Sequence, residues 1–275
     1  MPFDLNFMEL LSRFLVGAGI GFCIGLTGVG GGVLMLPALI LLFRMDPVTA
    51  VGTASLYSFI TKAGATWHHI KLRTIEWKVS FRFLVGAVPA NMVVASWIVS
   101  RGADEAFNHS LKIFIVCLIV FSLGVMLLNS LIIRSGPALR REEHTLAHYL
   151  ANLPNLQRGV NIIIGVCIGG LIGATSIGGG VLIVPTLIIV FGLSTSRTVG
   201  TSIFITVILN LITASIYGSG KQIDISMVLI SALGSLTMVY YGSKLAVQLP
   251  DRLLKRVVFG LILLTALLMV VDVAR

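Results

Sequence analysis

Apolar residues fill the chain in long blocks separated by short polar loops, and the polar positions inside the blocks recur at helical rather than alternating spacing. The blocks Val48–His69, Val79–Ser100 and Ser110–Ile133 each predict a full-length helix, as do Ser196–Tyr217, Ser226–Val247 and Val257–Val273. Each is close to the roughly 20 residues that cross a hydrocarbon core at about 1.5 Å per residue. Asp46 and Ser194 stand just before two of these blocks as N-cap residues. Two further apolar runs, Phe14–Phe43 and Ile162–Phe191, are each cut by a triple glycine. The arm after the first cut, Val33–Phe43, is too short to span, so each run predicts a hairpin of broken or half-length helices. Non-helical backbone is tolerated at that depth where it is buried in protein or lines a cavity.

The blocks repeat. A constant shift of 148 residues lays Gly17, Gly21 and Gly25 on Gly165, Gly169 and Gly173, Gly30–Val33 on Gly178–Val181, and Pro37, Gly52 and Thr53 on Pro185, Gly200 and Thr201. The chain therefore divides into a first transmembrane repeat (1–134), a polar cytoplasmic connector (135–158) and a second transmembrane repeat (159–275). Loop charge bears on how the halves are threaded. If each half crosses an odd number of times, thirteen basic residues, among them Lys71, Arg73, Arg134 and Arg197, face one side and six, among them Arg13, Arg44 and Lys221, face the other. Threading the halves in parallel divides them eleven to eight, and the positive-inside rule favours the first arrangement. The fold class expected is an all-α polytopic membrane protein of two tandem inverted-topology repeats, each a Gly-interrupted helical hairpin plus three transmembrane helices. Inverted repeats are a common plan among secondary transporters.

Composition agrees with the pattern. Of 275 residues, 11% are charged and 56% hydrophobic, and the mean hydropathy is +1.01. A soluble domain carries about 25% charged residues. The net charge of +9 sits in short loops rather than along one face, which excludes nucleic acid as a partner. The first apolar segment lacks a basic leader and a small-residue cleavage site, so it is expected to stay in the mature protein. Cys23, Cys117 and Cys167 have no metal or disulfide spacing and read as small core residues.

The glycine cuts carry the first chemical signal. Thr27-Gly28-Val29-Gly30-Gly31-Gly32 and Thr175-Ser176-Ile177-Gly178-Gly179-Gly180 each supply hydroxyls and exposed amides ahead of a helical arm. A helix N-terminus offers unpaired N–H groups and partial positive charge, and glycine admits a ligand close to the backbone. Two such cuts meeting near the midplane would hold an anion. Gly17, Gly21 and Gly25, four residues apart, read instead as a close-packing face.

A polar stripe carries the second. Ser202, Thr206, Asn210, Thr213 and Tyr217 lie on one helix face, and Ala54, Ser58, Lys62, Ala65 and His69 match them in the first half. Stripes of this kind face a cavity or another helix. Lys62 has two readings, a cation facing the cavity or a side chain snorkelling to the interface. Asn210 takes its place in the second half, so a site between the halves would be asymmetric in charge. His68 and His69, at the end of the helix that carries Lys62, either relay protons or occupy the interface. Glu142, Glu143, His144 and His148 read as a solvated connector rather than a metal face. No phosphate loop, zinc pair or nucleophile elbow occurs, which argues against an enzyme.

The paired GLTGVGGGVLMLP (Gly25–Pro37) and GATSIGGGVLIVP (Gly173–Pro185), each followed by VGT (Val51–Thr53 and Val199–Thr201), resemble the TauE/SafE family of sulfite and sulfonate exporters, as do Gly242–Ala246 and Leu249–Pro250. The resemblance implies a bacterial inner-membrane, multi-pass permease that exports small sulfur oxyanions such as sulfite, sulfoacetate or related organosulfonates. It also implies that the two Gly-rich motifs, with Thr53 and Thr201, form the substrate region. Combined with the residue reading, the substrate-binding set is Thr27, Gly28, Gly30, Gly31, Gly32, Thr53, Ser58, Lys62, Thr175, Ser176, Gly178, Gly179, Gly180, Thr201, Thr206 and Asn210. The expected mechanism is alternating access, with an anion channel or a membrane subunit without transport of its own as the alternatives. The partners expected are a small anion and the bilayer, with a homo-oligomer left open. No cofactor or metal is expected, and the coupling ion, proton or sodium, is left open.

Overall fold

The structure, a computed structural model, describes residues 6–27, 31–102, 104–134, 154–177, 180–246 and 251–273. The first half contains α1 (Phe7–Thr27), α2 (Gly31–Leu42), α3 (Pro47–Lys71), α4 (Trp77–Ser100) and α5 (Glu105–Arg134). The second contains α6 (Pro154–Thr175), α7 (Ile183–Ile189), α8 (Thr195–Ser219), α9 (Ile225–Ala246) and α10 (Asp251–Val273). Among the described residues, five of these helices, α1, α4, α5, α8 and α9, contain a stretch long and apolar enough to cross a membrane. The protein is thus an all-helical, multi-pass membrane protein. Helix α3 is as long as α8 but more polar, and its Thr53, Ser55 and Ser58 are fully buried. The connector's last residues, from Pro154, form the first turn of α6, and Glu142, Glu143, His144 and His148 lie outside the described residues.

Helix ends follow local chemistry. The Thr49 N–H donates to Asp46 Oδ2 over 2.8 Å, capping α3. Ser194 holds the N-cap position of α8 in extended backbone without a side-chain bond. At the other ends, Arg44 and Gly192 follow α2 and α7 with φ 53° and 62°, and Arg73 and Lys221 follow α3 and α8 with φ 54° and 59°. Left-handed residues at these matching positions close each helix. The Met45 N–H reaches back to the Leu39 carbonyl and the Leu193 N–H to the Leu187 carbonyl, both over 3.2 Å.

The halves pack on each other. Helix α1 lies on α9, with the backbone of Ser231, Ser235 and Val239 where a Cβ on Gly17, Gly21 and Gly25 would be. Helix α6 lies on α4 in the same way, with Gly165, Gly169 and Gly173 against Phe83, Ala87 and Asn91. These residues are equivalent under the 148-residue shift, so one contact is made twice with the halves exchanged. Backbone-to-backbone approach of this kind is how helices gain packing energy where lipid removes the hydrophobic drive between them.

Helix α3 packs on its own counterpart, α8. Gly52, near the start of α3, meets Tyr217 and Gln222 at the end of α8, and Gly200, near the start of α8, meets Thr74 beyond the end of α3. The two helices therefore run antiparallel. Helices α5 and α10 do the same, since Lys112 near the start of α5 pairs with Asp272 near the end of α10 at 2.5 Å. Outward faces of α4 and α9 expose Val85, Val93, Leu233 and Leu236, as a lipid-facing surface requires. Cys117 and Cys167 are on exposed faces, which corrects their reading as core residues, while Cys23 is half-buried and packs against the core. A thiol is apolar enough to face lipid, so spacing within an apolar helix did not report burial.

Candidate functional site

The helix breaks come together. Gly28, Gly30, Gly178 and Gly179 lie outside the described residues, and of Thr27 the backbone that closes α1 is described. Gly31 and Gly32 open α2 and are buried. A Cβ on Gly32 would collide with the carbonyl oxygen of Ser176, in the break of the other half. A Cβ on Gly31 would lie 2.9 Å from the Tyr57 ring of α3. Close approach thus accounts for glycine at both positions, one fitting the breaks together and the other seating the first break on α3. Ser176 adopts φ 57° just after α6, a left-handed turn that ends the helix. Thr175 Oγ1 stabilises that turn, donating to the Leu171 carbonyl over 2.7 Å and accepting the Ile177 N–H over 3.2 Å. Gly180 lies in the turn that leads to α7 and is half-buried.

Contact with Tyr57 sets the height of the first break on α3, next to Ser58. Lys62 follows one turn further on. The antiparallel contacts fix its height relative to α8. Gly52 lies ten residues before Lys62, and Tyr217 and Gln222 lie seven and twelve after Asn210; Gly200 lies ten before Asn210, and Thr74 twelve after Lys62. Equal steps inward from both ends bring Lys62 level with Asn210, at the midpoint of the α3–α8 pair. Lys62 and Asn210, matched positions that differ in charge, therefore lie at one height along the two helices.

Polar groups around this level are buried and incompletely used. Ser58 and Asn210 are 0% exposed and Ser176 4% exposed. Among the described residues, the hydroxyls of Ser58 and Ser176 and both ends of the Asn210 amide have no hydrogen-bond partner. Buried polar groups are normally paired, at a penalty of about 1–3 kcal/mol for each left unmet. Lys62 is half-buried, and among the described residues its ammonium forms no ion pair. Thr206 is spent locally, donating to the Ser202 carbonyl over 2.5 Å. Thr213 and Tyr217 hold helices together. Thr213 Oγ1 and the Asn91 amide exchange bonds of 2.9 and 3.1 Å, Asn91 also donates to the Gly169 carbonyl, and Tyr217 donates to the Gly173 carbonyl over 3.0 Å. Asn91 escaped the sequence reading, although it is an amide in an apolar helix facing the Gly173 end of α6.

Thr53 and Thr201 do different work from the breaks. Thr53 Oγ1 accepts the backbone N–H of Asp224 over 3.1 Å, and Thr201 Oγ1 accepts that of Glu76 over 2.9 Å. Each ties the middle of one half to the helix start of the other, again as a matched pair. Charge reinforces both ties. Arg13 bridges Asp224 at 3.2 Å and Glu9 at 2.7 Å, while Arg197 pairs with Glu76. His69 joins Thr74 at the end of α3, with 2.8 Å between Nδ1 and Oγ1. A separate groove between α1 and α9, lined by Phe7, Leu10, Leu11, Phe14, Ile230 and Leu233, is wholly apolar and far along the helices from the breaks.

A family model described as "Sulfite exporter TauE/SafE" matches residues 13–269. The "Probable membrane transporter protein YjnA" of Bacillus subtilis (strain 168) is 30% identical over 262 residues, covering 94% of this chain and 98% of that protein. The "Probable membrane transporter protein YunE" of the same organism is 27% identical over 265 residues, 90% of each chain. A "Probable membrane transporter protein" of Haemophilus influenzae is 30% identical over 205 residues, 72% of this chain and 69% of its own. No solved structure matches significantly. The repeat, the paired glycine breaks and these relatives agree that the chain belongs to the TauE/SafE sulfite exporter family of membrane transporters.

Proposed function

We propose that this protein is a secondary carrier that exports small anions, sulfite, sulfoacetate or related organosulfonates, across the bacterial inner membrane. The observation that carries the reading is the junction of the two breaks, where Gly32 fits against Ser176 beside buried polar groups without partners. An oxyanion presents several acceptor oxygens at once, and hydroxyls, helix-start amides and the Lys62 ammonium are the donors that suit it. Ser58, Ser176, Lys62 and Asn210 are the direct contacts in this proposal, together with the glycine backbone of residues 28–32 and 176–180. Thr27, Thr175 and Thr206 frame the breaks, and Thr53 and Thr201 anchor the frame because their hydroxyls are engaged between the halves.

The halves are inverted in this reading, and four observations support that threading. Helices α3 and α8 are antiparallel counterparts, as are α5 and α10. Arg197 pairs with Glu76, and Arg44 with Asp272 at 3.2 Å, joining loops that inverted threading puts on one side and parallel threading puts on opposite sides. Burial of Ser58, Ser176 and Asn210 corresponds to a closed state. Rocking of the halves then opens the junction to either side in turn, driven by a proton, sodium or solute gradient.

Counterflow in proteoliposomes tests the proposal. Vesicles preloaded with unlabelled sulfite, sulfoacetate, sulfate or acetate are mixed with external labelled sulfoacetate. Transient accumulation driven by internal sulfite or sulfoacetate is the expected result. Flux that neither saturates nor shows counterflow would assign a channel instead.

A further inference from the structure

We propose that Asn210 makes the carrier selective for anions that also bear a hydrogen-bond donor, a hydroxyl, an amino group or an acid O–H, over anions of equal charge and size that only accept. The inference rests on the anion-carrier reading above and narrows its substrate class, ranking hydrogensulfite, which keeps an acid proton, above sulfoacetate, which has no donor at neutral pH.

Each unpartnered group has its own hydrogen-bonding capacity. The hydroxyls of Ser58 and Ser176 are donors or acceptors according to rotation, so an anion oxygen satisfies both. An amide is different. It holds a fixed pair, an NH₂ that donates and a C=O that only accepts. Among the described residues both ends of Asn210 lack a partner, at 0% exposure, so flipping the amide changes nothing: one end always needs a donor. A fully deprotonated oxyanion has no donor to give, and its oxygens repel the amide carbonyl. An anion with an O–H or N–H beside its charged head satisfies both ends.

Position adds to this. Asn210 stands level with Lys62, its counterpart in the first half, at the centre of the α3–α8 pair. A bound anion there has charge to offset on the α3 side and a donor-acceptor pair to meet on the α8 side. The head group goes to the cation and the donor goes to the amide, which orients the substrate between the halves.

The test uses two monoanions that differ in one group, 2-hydroxyethanesulfonate and 1-propanesulfonate, in which a methyl replaces the hydroxyl. Binding of each to the purified full chain is measured by calorimetry, with sulfite as a third ligand. Wild type is expected to bind the hydroxy compound at least about tenfold more tightly, since sites built for a hydroxyl reject the analogue lacking it. In Asn210→Leu the ratio is expected to fall to about threefold or less, by weaker binding of the hydroxy compound. Equal affinity of wild type for the two sulfonates would overturn the inference and leave the carrier reading standing, with the amide carbonyl then served by a donor of the chain such as Lys62. No saturable binding of any of the three anions would overturn both. The wild-type comparison decides the matter even if Asn210→Leu fails to fold.

Discussion

Lys62 and Asn210 occupy one position in two copies of the same helix, and the unit of charge that separates them gives the proposed site its sign. Lys62 is half-buried without an ion pair among the described residues, so its removal leaves no partner stranded. Lys62→Ala is expected to unfold at a temperature close to wild type while sulfonate affinity drops by roughly 10- to 100-fold, the range of a charge-assisted bond. Unchanged affinity in calorimetry would place the ammonium at the interface instead. Glycine positions make a second, sharper contrast. A Cβ at Gly32 meets the Ser176 carbonyl, whereas one at Gly64 meets nothing within 4 Å. Gly32→Ala should separate the breaks and abolish counterflow. Gly64→Ala should leave transport intact and stabilise α3 by up to about 1 kcal/mol, as removal of an interior helix glycine does. Transport by Gly32→Ala at the wild-type rate would count against the junction of the breaks as the site.

At the scale of elements, the starts of α4 and α9 are each held by a threonine and an arginine from the other half, but with unequal burial. The Arg13 side chain is 10% exposed and bonds Asp224, Glu9 and Ser226, while Arg197 is 60% exposed and meets Glu76 alone. Arg13→Ala is expected to destabilise by roughly 2 kcal/mol because it strands a half-buried carboxylate. Arg197→Ala is expected to change stability by less than about 1 kcal/mol. Thermal unfolding in one detergent checks both, and equal losses would contradict the account. Helix boundaries were legible in sequence because apolar periodicity, Asp46 and the repeat all bear on them, and α3 and α8 extend only a residue or two beyond the expected blocks at each end. The breaks, Lys62 and Asn210 were legible because the shift of 148 residues isolates what the halves keep and what they change. The partners of Thr53, Thr201 and Asn91 were not, because each lies far along the chain and no local pattern encodes a bond between helices of different halves. Cysteine burial was not legible either, since lipid and protein interior place the same demand on a thiol.

For the whole molecule, the account stands on two halves that thread the membrane in opposite directions and meet at one level. The α3–α8 contacts, the α5–α10 ion pair and the loop charges all bear on that one point, and the proposed exchange of access between two sides of a single site depends on it. The most direct measurement labels matched loop positions from outside the cell. Lys71→Cys and Ser219→Cys, both exposed at equivalent ends of α3 and α8, are made singly in a chain whose Cys23, Cys117 and Cys167 are replaced by alanine. The account predicts that a membrane-impermeant maleimide labels Ser219→Cys in intact cells and labels Lys71→Cys only after lysis. Equal labelling of the two positions in intact cells, or of neither until lysis, would mean that the halves run in parallel and would contradict it.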